Sequence, residues 1–173
     1  MQIKTKRLLI RSLRPTDWTA LKGISEDFKK SEYSIYDMPL PSEDEKIKSL
    51  CRQFAATGLW FSVTLHDVMF GYICFHEENE IYDLGFCFHS DYHGKGYAYE
   101  SCIAVMEYIA KERKTNIFTA GTSLQNTPSC NLLNKLGFIL EGTENLSFHK
   151  DKNGYDIFFE GGHFIKKEGA YDC

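Results

Sequence analysis

The sequence predicts a mixed α/β or α+β fold, a sheet covered by helices, formed as one domain over residues 1–173. Three observations lead there. Strand-like apolar runs recur along the chain, and most follow one another in sequence. Between them lie segments whose apolar residues return every three or four positions, as on one face of a helix. The composition also allows a full core: 43% of the 173 residues are hydrophobic and 14% aromatic, which argues against disorder.

In chain order, Arg7–Leu13 reads as a strand that Arg14-Pro15 ends. A short helix from Thr16 follows, with Trp18, Leu21 and Ile24 on one face. Ser31–Pro41, with two tyrosines and two prolines, is a loop. Ser42 and Glu45 form a candidate capping box for a helix whose apolar face is Ile47, Leu50, Cys51 and Phe54 and whose end is Gly58. LWFSVTL and FGYICFH flank His66-Asp67-Val68-Met69 as a hairpin, and Tyr82–Phe88 is a third strand. His76, Glu77, Glu78 and Glu80 read as solvated loop charge. From Tyr97 to Arg113 the period turns helical, with Ala98, Cys102, Val105 and Ile109 sharing a face. Asn116–Thr122 is a strand. Thr127-Pro128 starts a helix with proline at its first position, Leu132, Leu133 and Leu136 form its apolar face, and Gly137 ends it. Two more strand-like runs, GFILEGTENLSFHK and GYDIFFEGGHF, finish the chain.

The formal net charge of −4 and isoelectric point of about 5.9 give no electrostatic means of recruiting nucleic acid. A mildly acidic protein suits a cationic or neutral partner. Six cysteines (Cys51, Cys74, Cys87, Cys102, Cys130 and Cys173) lie far apart, with no CxxC pair and no Cys/His ligand spacing. They read as small apolar residues buried in a reducing cytosol, and no metal is expected. MQIKTKRLLIRSL lacks the apolar stretch of a signal peptide, and no apolar run approaches the ~18 residues of a membrane span. The expectation is a soluble cytoplasmic protein without a membrane partner, with monomer and homodimer both open.

Between a strand and a helix stands His93-Gly94-Lys95-Gly96-Tyr97-Ala98. A helix N-terminus carries unpaired N–H groups and a partial positive charge, so it can hold a phosphate without special side chains. Gly94 and Gly96 let N–H groups turn inward and remove Cβ atoms that would block a phosphate oxygen, while Lys95 adds charge at the rim. A plain strand-to-helix turn fits equally well. Two familiar phosphate loops do not fit. A P-loop needs Ser or Thr after its Gly-Lys pair, and Lys95 is followed by Gly96 and Tyr97. A dinucleotide fingerprint needs a third glycine where Tyr99 stands.

The run resembles the acyl-CoA pyrophosphate loop of the GNAT N-acetyltransferases, Q/R-x-x-G-x-G/A. Gly96 and Ala98 match, and His93 stands where Gln or Arg is usual. TKRLLIRSLRPTDW resembles the opening strand and helix of the RimJ/RimL-like branch, which acetylates protein N-termini and various small amines. YDLGFCFHSDYHGKGYAYES is similar to that branch's fourth strand, pyrophosphate loop and following helix. NTPSCNLLNKLGFILEG (Asn126–Gly142) is similar to its N-x-x-S helix and G-F-x-x-E-G segment. The resemblance implies the GNAT fold: a mixed, twisted sheet of about seven strands, splayed between strands 4 and 5, with helices on both faces. It also implies an enzyme that moves an acetyl group from acetyl-CoA to a primary amine, of a protein N-terminus or a small molecule, by direct attack.

The resemblance further assigns roles. The pantetheine amides pair with the strand around Phe86, Cys87 and Phe88, and the pyrophosphate lies on His93, Gly94, Lys95, Gly96, Tyr97 and Ala98. Asn126 touches the cofactor, and it is also suited to cap the helix that Pro128 opens. Ser129 occupies the position proposed to protonate the departing CoA thiolate, and Leu133 stands where many members carry a tyrosine. Asp83, before Leu84-Gly85-Phe86, matches a carboxylate that can relay a proton from the amine through water. Tyr33 and Tyr36 lie in the loop expected to border the acceptor pocket, although aromatic packing explains them equally well. His149 and Glu144 are further candidate bases, or ordinary exposed strand residues. Covalent catalysis is disfavoured because Cys87 and Cys130 lack a paired histidine nearby in sequence. Two rivals stand beside this reading: a non-catalytic acyl-CoA-binding or regulatory domain of the same fold, and an interaction protein in which HGKGYA is only a turn.

Overall fold

The computed structural model describes residues 1–167, so Cys173 lies outside the described residues. Among them the strands are β1 (Gln2–Lys4), β2 (Leu9–Ser12), β3 (Trp60–Leu65), β4 (Val68–Glu78), β5 (Ile81–Phe88), β6 (Ile117–Ser123), β7 (Ile139–Lys150) and β8 (Asp156–Lys167). They form an eight-stranded sheet in the order β1-β2-β3-β4-β5-β6-β8-β7. That is one strand more than expected, because the short run before Thr5 pairs with β2. The helices are α1 (Trp18–Phe28), α2 (Asp44–Thr57), α3 (Tyr97–Arg113) and α4 (Thr127–Lys135).

Turn chemistry sets the central meander. His66 and Asp67 (φ 48° and 65°) turn β3 into β4, and Asn79 and Glu80 (φ 51° and 65°) turn β4 into β5. Such left-handed pairs match the twist of an antiparallel hairpin. His76, Glu77 and Glu78 are exposed but are strand residues, not loop residues: they pair with Asp83, Tyr82 and Ile81. The Ser42/Glu45 capping box does not form. Glu43 is the N-cap of α2, and Ser42 Oγ instead accepts from Lys29 Nζ at 2.7 Å. Pro128 follows Thr127 and so takes the second helical position of α4, behind the Asn126 cap. The Ser31–Pro41 connection contains a 3₁₀ turn, Glu32–Tyr36, capped by the Ser31 side chain.

Each sheet face carries its own apolar cluster. One packs Phe61, Ile73 and Phe118 against Val105 and Ile109 of α3 and Leu133 of α4. The other packs Leu13 against Leu21 of α1 and Ile47 and Cys51 of α2. Each large apolar side chain buried in this way contributes about 1.5–3 kcal/mol relative to exposure. Helices therefore cover both faces, as the resemblance implies.

The single parallel pairing positions the site. β5 and β6 share only the pairs Tyr82↔Phe118 and Asp83↔Thr119, and then diverge. β8 holds β6 along its whole length, from Ile117 to Ser123, so the sheet opens without losing the strand. This gap is the expected splay between the fourth and fifth strands, renumbered by one because β1 precedes them.

Candidate active site

The cradle lies where β5 ends. His93 Nε2 donates to the Phe88 carbonyl at 2.7 Å and closes the intervening loop on itself. Asp27 of α1 accepts from the N–H and hydroxyl of Ser90 at 2.8 and 2.9 Å. Gly94 and Gly96 then adopt φ +72° and +76°, a left-handed conformation that L side chains avoid. Gly96 is the N-cap of α3 and offers no side chain to satisfy the helix's first N–H groups. Those of Tyr97, Ala98 and Tyr99 thus remain at the positive end of the helix dipole, where a pyrophosphate fits. The Lys95 ammonium folds back to the Asp91 carbonyl (2.7 Å) and over the Tyr92 ring.

Arg7 braces this loop. Its Nη1 donates to the Lys95 carbonyl at 2.8 Å, and its guanidinium lies 4.5 Å above the Tyr97 ring. Glu100, one turn into α3, holds Arg7 in place by accepting from its Nε (2.6 Å) and backbone N–H (2.9 Å), and it also accepts from the Thr5 hydroxyl (2.6 Å). Burial pushes the Glu100 carboxyl up, but the hydrogen bonds from Thr5 and Arg7 outweigh it and hold the group below the usual carboxylate range.

In the splay itself lies a cleft of about 170 Å³. Gly85, Phe86 and Cys87 of β5 form one wall, Gly121 and Thr122 of β6 the other, and Asn126 and Ser129 of α4 close one end. Asn126 Oδ1 accepts from the Ser129 N–H at 3.3 Å, which leaves the Ser129 hydroxyl outside the capping contact. Phe88 packs its ring on Phe70 and Phe86, so only its backbone belongs to the open edge of β5. Burial pushes the Cys87 and Cys74 thiols up to about 12, with nearby aspartates adding to the shift, so both stay protonated at neutral pH. The hydroxyl of Tyr72, paired across the strands with Cys87, is likewise raised by burial.

A second cavity, about 230 Å³, adjoins the first. Asp37, Gly121, Thr122 and Asn126 line both. Tyr33 and Tyr36 line the second, and Tyr36 joins Phe159 and Phe148 in an aromatic cluster with centroids 5.3 Å apart. Glu144 lies at this cavity with its Oε1 2.8 Å from His163 Nε2. His149 Nε2 donates to the Asp37 carbonyl at 2.7 Å. Asp83 lies apart: it lines neither cavity, and its Oδ1 accepts from the Thr119 hydroxyl (2.9 Å) where β5 and β6 still pair. The structure thus gathers Phe86, Cys87, Asn126 and Ser129 at the splay, and Tyr33 and Tyr36 beside it. Sequence reasoning passed over Arg7, Glu100, Tyr72 and Asp37. Arg7 and Glu100 lie 93 residues apart, and no local pattern links them.

The chain is similar to known acetyltransferases in sequence and in fold. The family described as acetyltransferase (GNAT) domain matches residues 7–139. An uncharacterized N-acetyltransferase of Bacillus subtilis (strain 168), YnaD, is 30% identical over 163 residues, covering 92% of this chain and 95% of the relative. The crystal structure of a GNAT-family acetyltransferase from Bacillus anthracis matches with a TM-score of 0.77 at 28% identity, over 96% of this chain and 98% of that one. A Salmonella typhimurium acetyltransferase that modifies the N-terminal serine of ribosomal protein L7/L12 shares the fold, with a TM-score of 0.82 at 16% identity, over 98% and 100% of the two chains. The chain belongs to the GNAT acetyltransferases. It is an enzyme, an N-acetyltransferase. No helix among the described residues is long and apolar enough to cross a membrane.

Proposed function

We propose that this N-acetyltransferase works in the cytoplasm, holds acetyl-CoA across the cradle and the splay, and receives its acceptor through the second cavity. The carrying observation is that the two cavities meet beside Asn126, at the open edge of β5. In this reading the backbone N–H groups of Tyr97 and Ala98, at the start of α3, take the pyrophosphate, with the loop His93–Ala98 around it. The edge of β5 that β6 leaves free at Phe86–Phe88, where His93 holds only the Phe88 carbonyl, takes the pantetheine amides. An N–H on the same edge stabilises the oxyanion that forms as the amine attacks the thioester carbonyl. Ser129 donates to the departing thiolate. The cosubstrate supplies the activated acetyl group, and the chain supplies position and proton transfer.

The amine must be neutral to attack, yet amines titrate near ~8 (α-amino) to ~10.4 (lysine). A base or a water relay is therefore required, and Asp83 is one candidate for it. Both a protein N-terminus and a small amine suit the second cavity. The Salmonella typhimurium neighbour supports the former, with its N-terminal serine substrate. A thiol-release screen of small amines and N-terminal peptides, with product mass confirming an added acetyl, tests the reading. Stabilisation by CoA in a thermal melt accompanies it, about 2.7 kcal/mol at a hundredfold excess over Kd. No response to millimolar CoA would overturn the reading. CoA binding without thiol release from any amine would favour a non-catalytic acyl-CoA-binding protein.

A further inference from the structure

Resting on the reading that the second cavity receives the acceptor, we propose that Asp37 binds the acceptor's ammonium group and takes its proton, and that the acceptor is a primary amine borne on a flat apolar body. Four carboxylates lie near the splay, and they differ in what they already hold; Asp27 accepts from the Ser90 N–H and hydroxyl. Glu144 is matched to His163, and Asp83 accepts from Thr119 outside both cavities. Asp37 lines both. One of its carboxylate oxygens accepts from the Met38 N–H at 2.7 Å, and the other has no hydrogen-bond partner among the described residues. The backbone of Asp37 is held from two sides, by His149 at its carbonyl (2.7 Å) and by the Ser34 carbonyl at its N–H (3.4 Å). The carboxylate is thus presented at the junction rather than carried on a loose loop. Its negative charge also reaches Tyr72, Cys74 and Cys87 along the splay.

One side of the second cavity is apolar, and the other carries Thr122, Ser123, Asn126 and the paired Glu144 and His163. Tyr36, Phe148 and Phe159 form its aromatic side, with Leu146 beside them. A primary ammonium at Asp37 leaves the carbon body against those rings. A polycation would bring further charges to a wall whose other carboxylate, Glu144, is already paired.

The proton account closes. The acceptor arrives as an ammonium and gives one proton to Asp37, which is exposed and passes it to solvent. The freed lone pair forms the C–N bond, and collapse of the tetrahedral adduct breaks the C–S bond. The thiolate receives the second nitrogen proton by way of Ser129. Ammonium and thioester become amide, thiol and one released proton.

The test uses 2-phenylethylamine, with 2-phenylethanol as the uncharged isostere and spermidine as the polycation. In the parent, 2-phenylethylamine should release thiol with a higher kcat/KM than spermidine. Asp37→Asn should lower its kcat/KM by about 10²-fold or more, with the acetyl-CoA KM and the CoA-induced melting shift kept. Asp37→Glu should recover part of the loss. Calorimetry on the CoA complex should show the amine binding the parent and failing to bind Asp37→Asn, while the alcohol does not tell the two proteins apart. Equal amine binding or turnover in parent and Asp37→Asn overturns the assignment, as does a CoA-bound parent that takes up no 2-phenylethylamine. The same loss in Asp83→Asn but not in Asp37→Asn would also overturn it, in favour of Asp83. Preference for spermidine overturns the apolar acceptor. Failure of the parent to bind CoA is a separate result: it removes the acetyl-CoA reading itself, and this assignment with it.

Discussion

Replacing Gly96 with valine tests the cradle most directly. Gly96 has φ +76°, and a left-handed conformation costs a non-glycine residue about 1–3 kcal/mol, with β-branched side chains among the least tolerant. The added Cβ would come 3.4 Å from Nη2 of Arg7, the side chain that holds the Lys95 carbonyl. Two outcomes follow from one change. If the backbone keeps its shape, the protein loses about 1–3 kcal/mol, a fall in Tm of about 2–12 °C for a chain of this size. If it relaxes, the N–H groups at the start of α3 turn away from the phosphate. Each charge-assisted hydrogen bond lost is worth about 1.5–3 kcal/mol, so the acetyl-CoA KM should rise about 10- to 100-fold per bond. Melting curves with and without CoA, and KM at saturating acceptor, separate the two terms. A folded Gly96→Val protein with the parent's acetyl-CoA KM and CoA-induced shift would show that the pyrophosphate lies elsewhere.

Arg7→Ala removes the brace without touching the glycines. The acetyl-CoA KM should rise several-fold while kcat at saturation holds, and steady-state kinetics read this split. Ser129→Ala should slow turnover by about 10²- to 10⁴-fold. Acetyl-CoA affinity and stability should change little, because Asn126 caps α4 through the Ser129 backbone N–H, which alanine retains. Turnover like the parent's would make the serine only a helix residue. Asp17 governs an acid-side loss of stability. Burial pushes its carboxyl up, but hydrogen bonds from Arg11, the Arg14 N–H and Ser62 outweigh it, so the folded value lies below the unfolded one. Its contribution is present above the unfolded value near ~3.9 and is lost as pH falls through the lower folded value. Asp17→Asn should therefore flatten the fall in Tm between about pH 5 and 2.

Legibility follows the range of the interaction responsible. The limits of α3 match the sequence reading because they are local: the period changes at Tyr97, and a glycine that must adopt positive φ stands just before it. The cradle is legible for the same reason. β1 has three residues with one apolar side chain, too short a run for alternation to be read, so only its pairing with β2 makes it a strand. His76–Glu78 carry β4 past the core, where the apolar signal of a strand has run out and only the ladder to β5 remains. Ser42 has the chemistry of a cap, but Lys29 at the end of α1 takes its hydroxyl. The splay is a property of how β5 and β6 fail to pair, which no single strand's sequence carries.

The same distinction separates the two halves of the site. In the proposed reading the cofactor half rests on backbone: the N–H groups of a helix start, the open edge of β5, and two glycines that keep Cβ atoms away. Backbone requirements narrow the choice of residue to glycine or alanine at fixed spacing, and so they leave a readable trace. The proposed acceptor half rests on side chains from remote elements. In that reading Asp37 matters because His149, 112 residues further along, holds its carbonyl, and because β6 lines the other side of the junction. Nothing around Tyr36-Asp37-Met38-Pro39 marks an aspartate as different from a loop residue. Tyr36 stands against Phe159, which packs in turn on Phe148, both beyond residue 140. A surface built from such distant pieces can be remade by a few substitutions on the 32–37 turn, β7 or β8 without disturbing the cradle. Acceptor choice can therefore vary while the acetyl donor stays fixed, which is why family membership alone names the reaction and leaves the amine to be found by experiment.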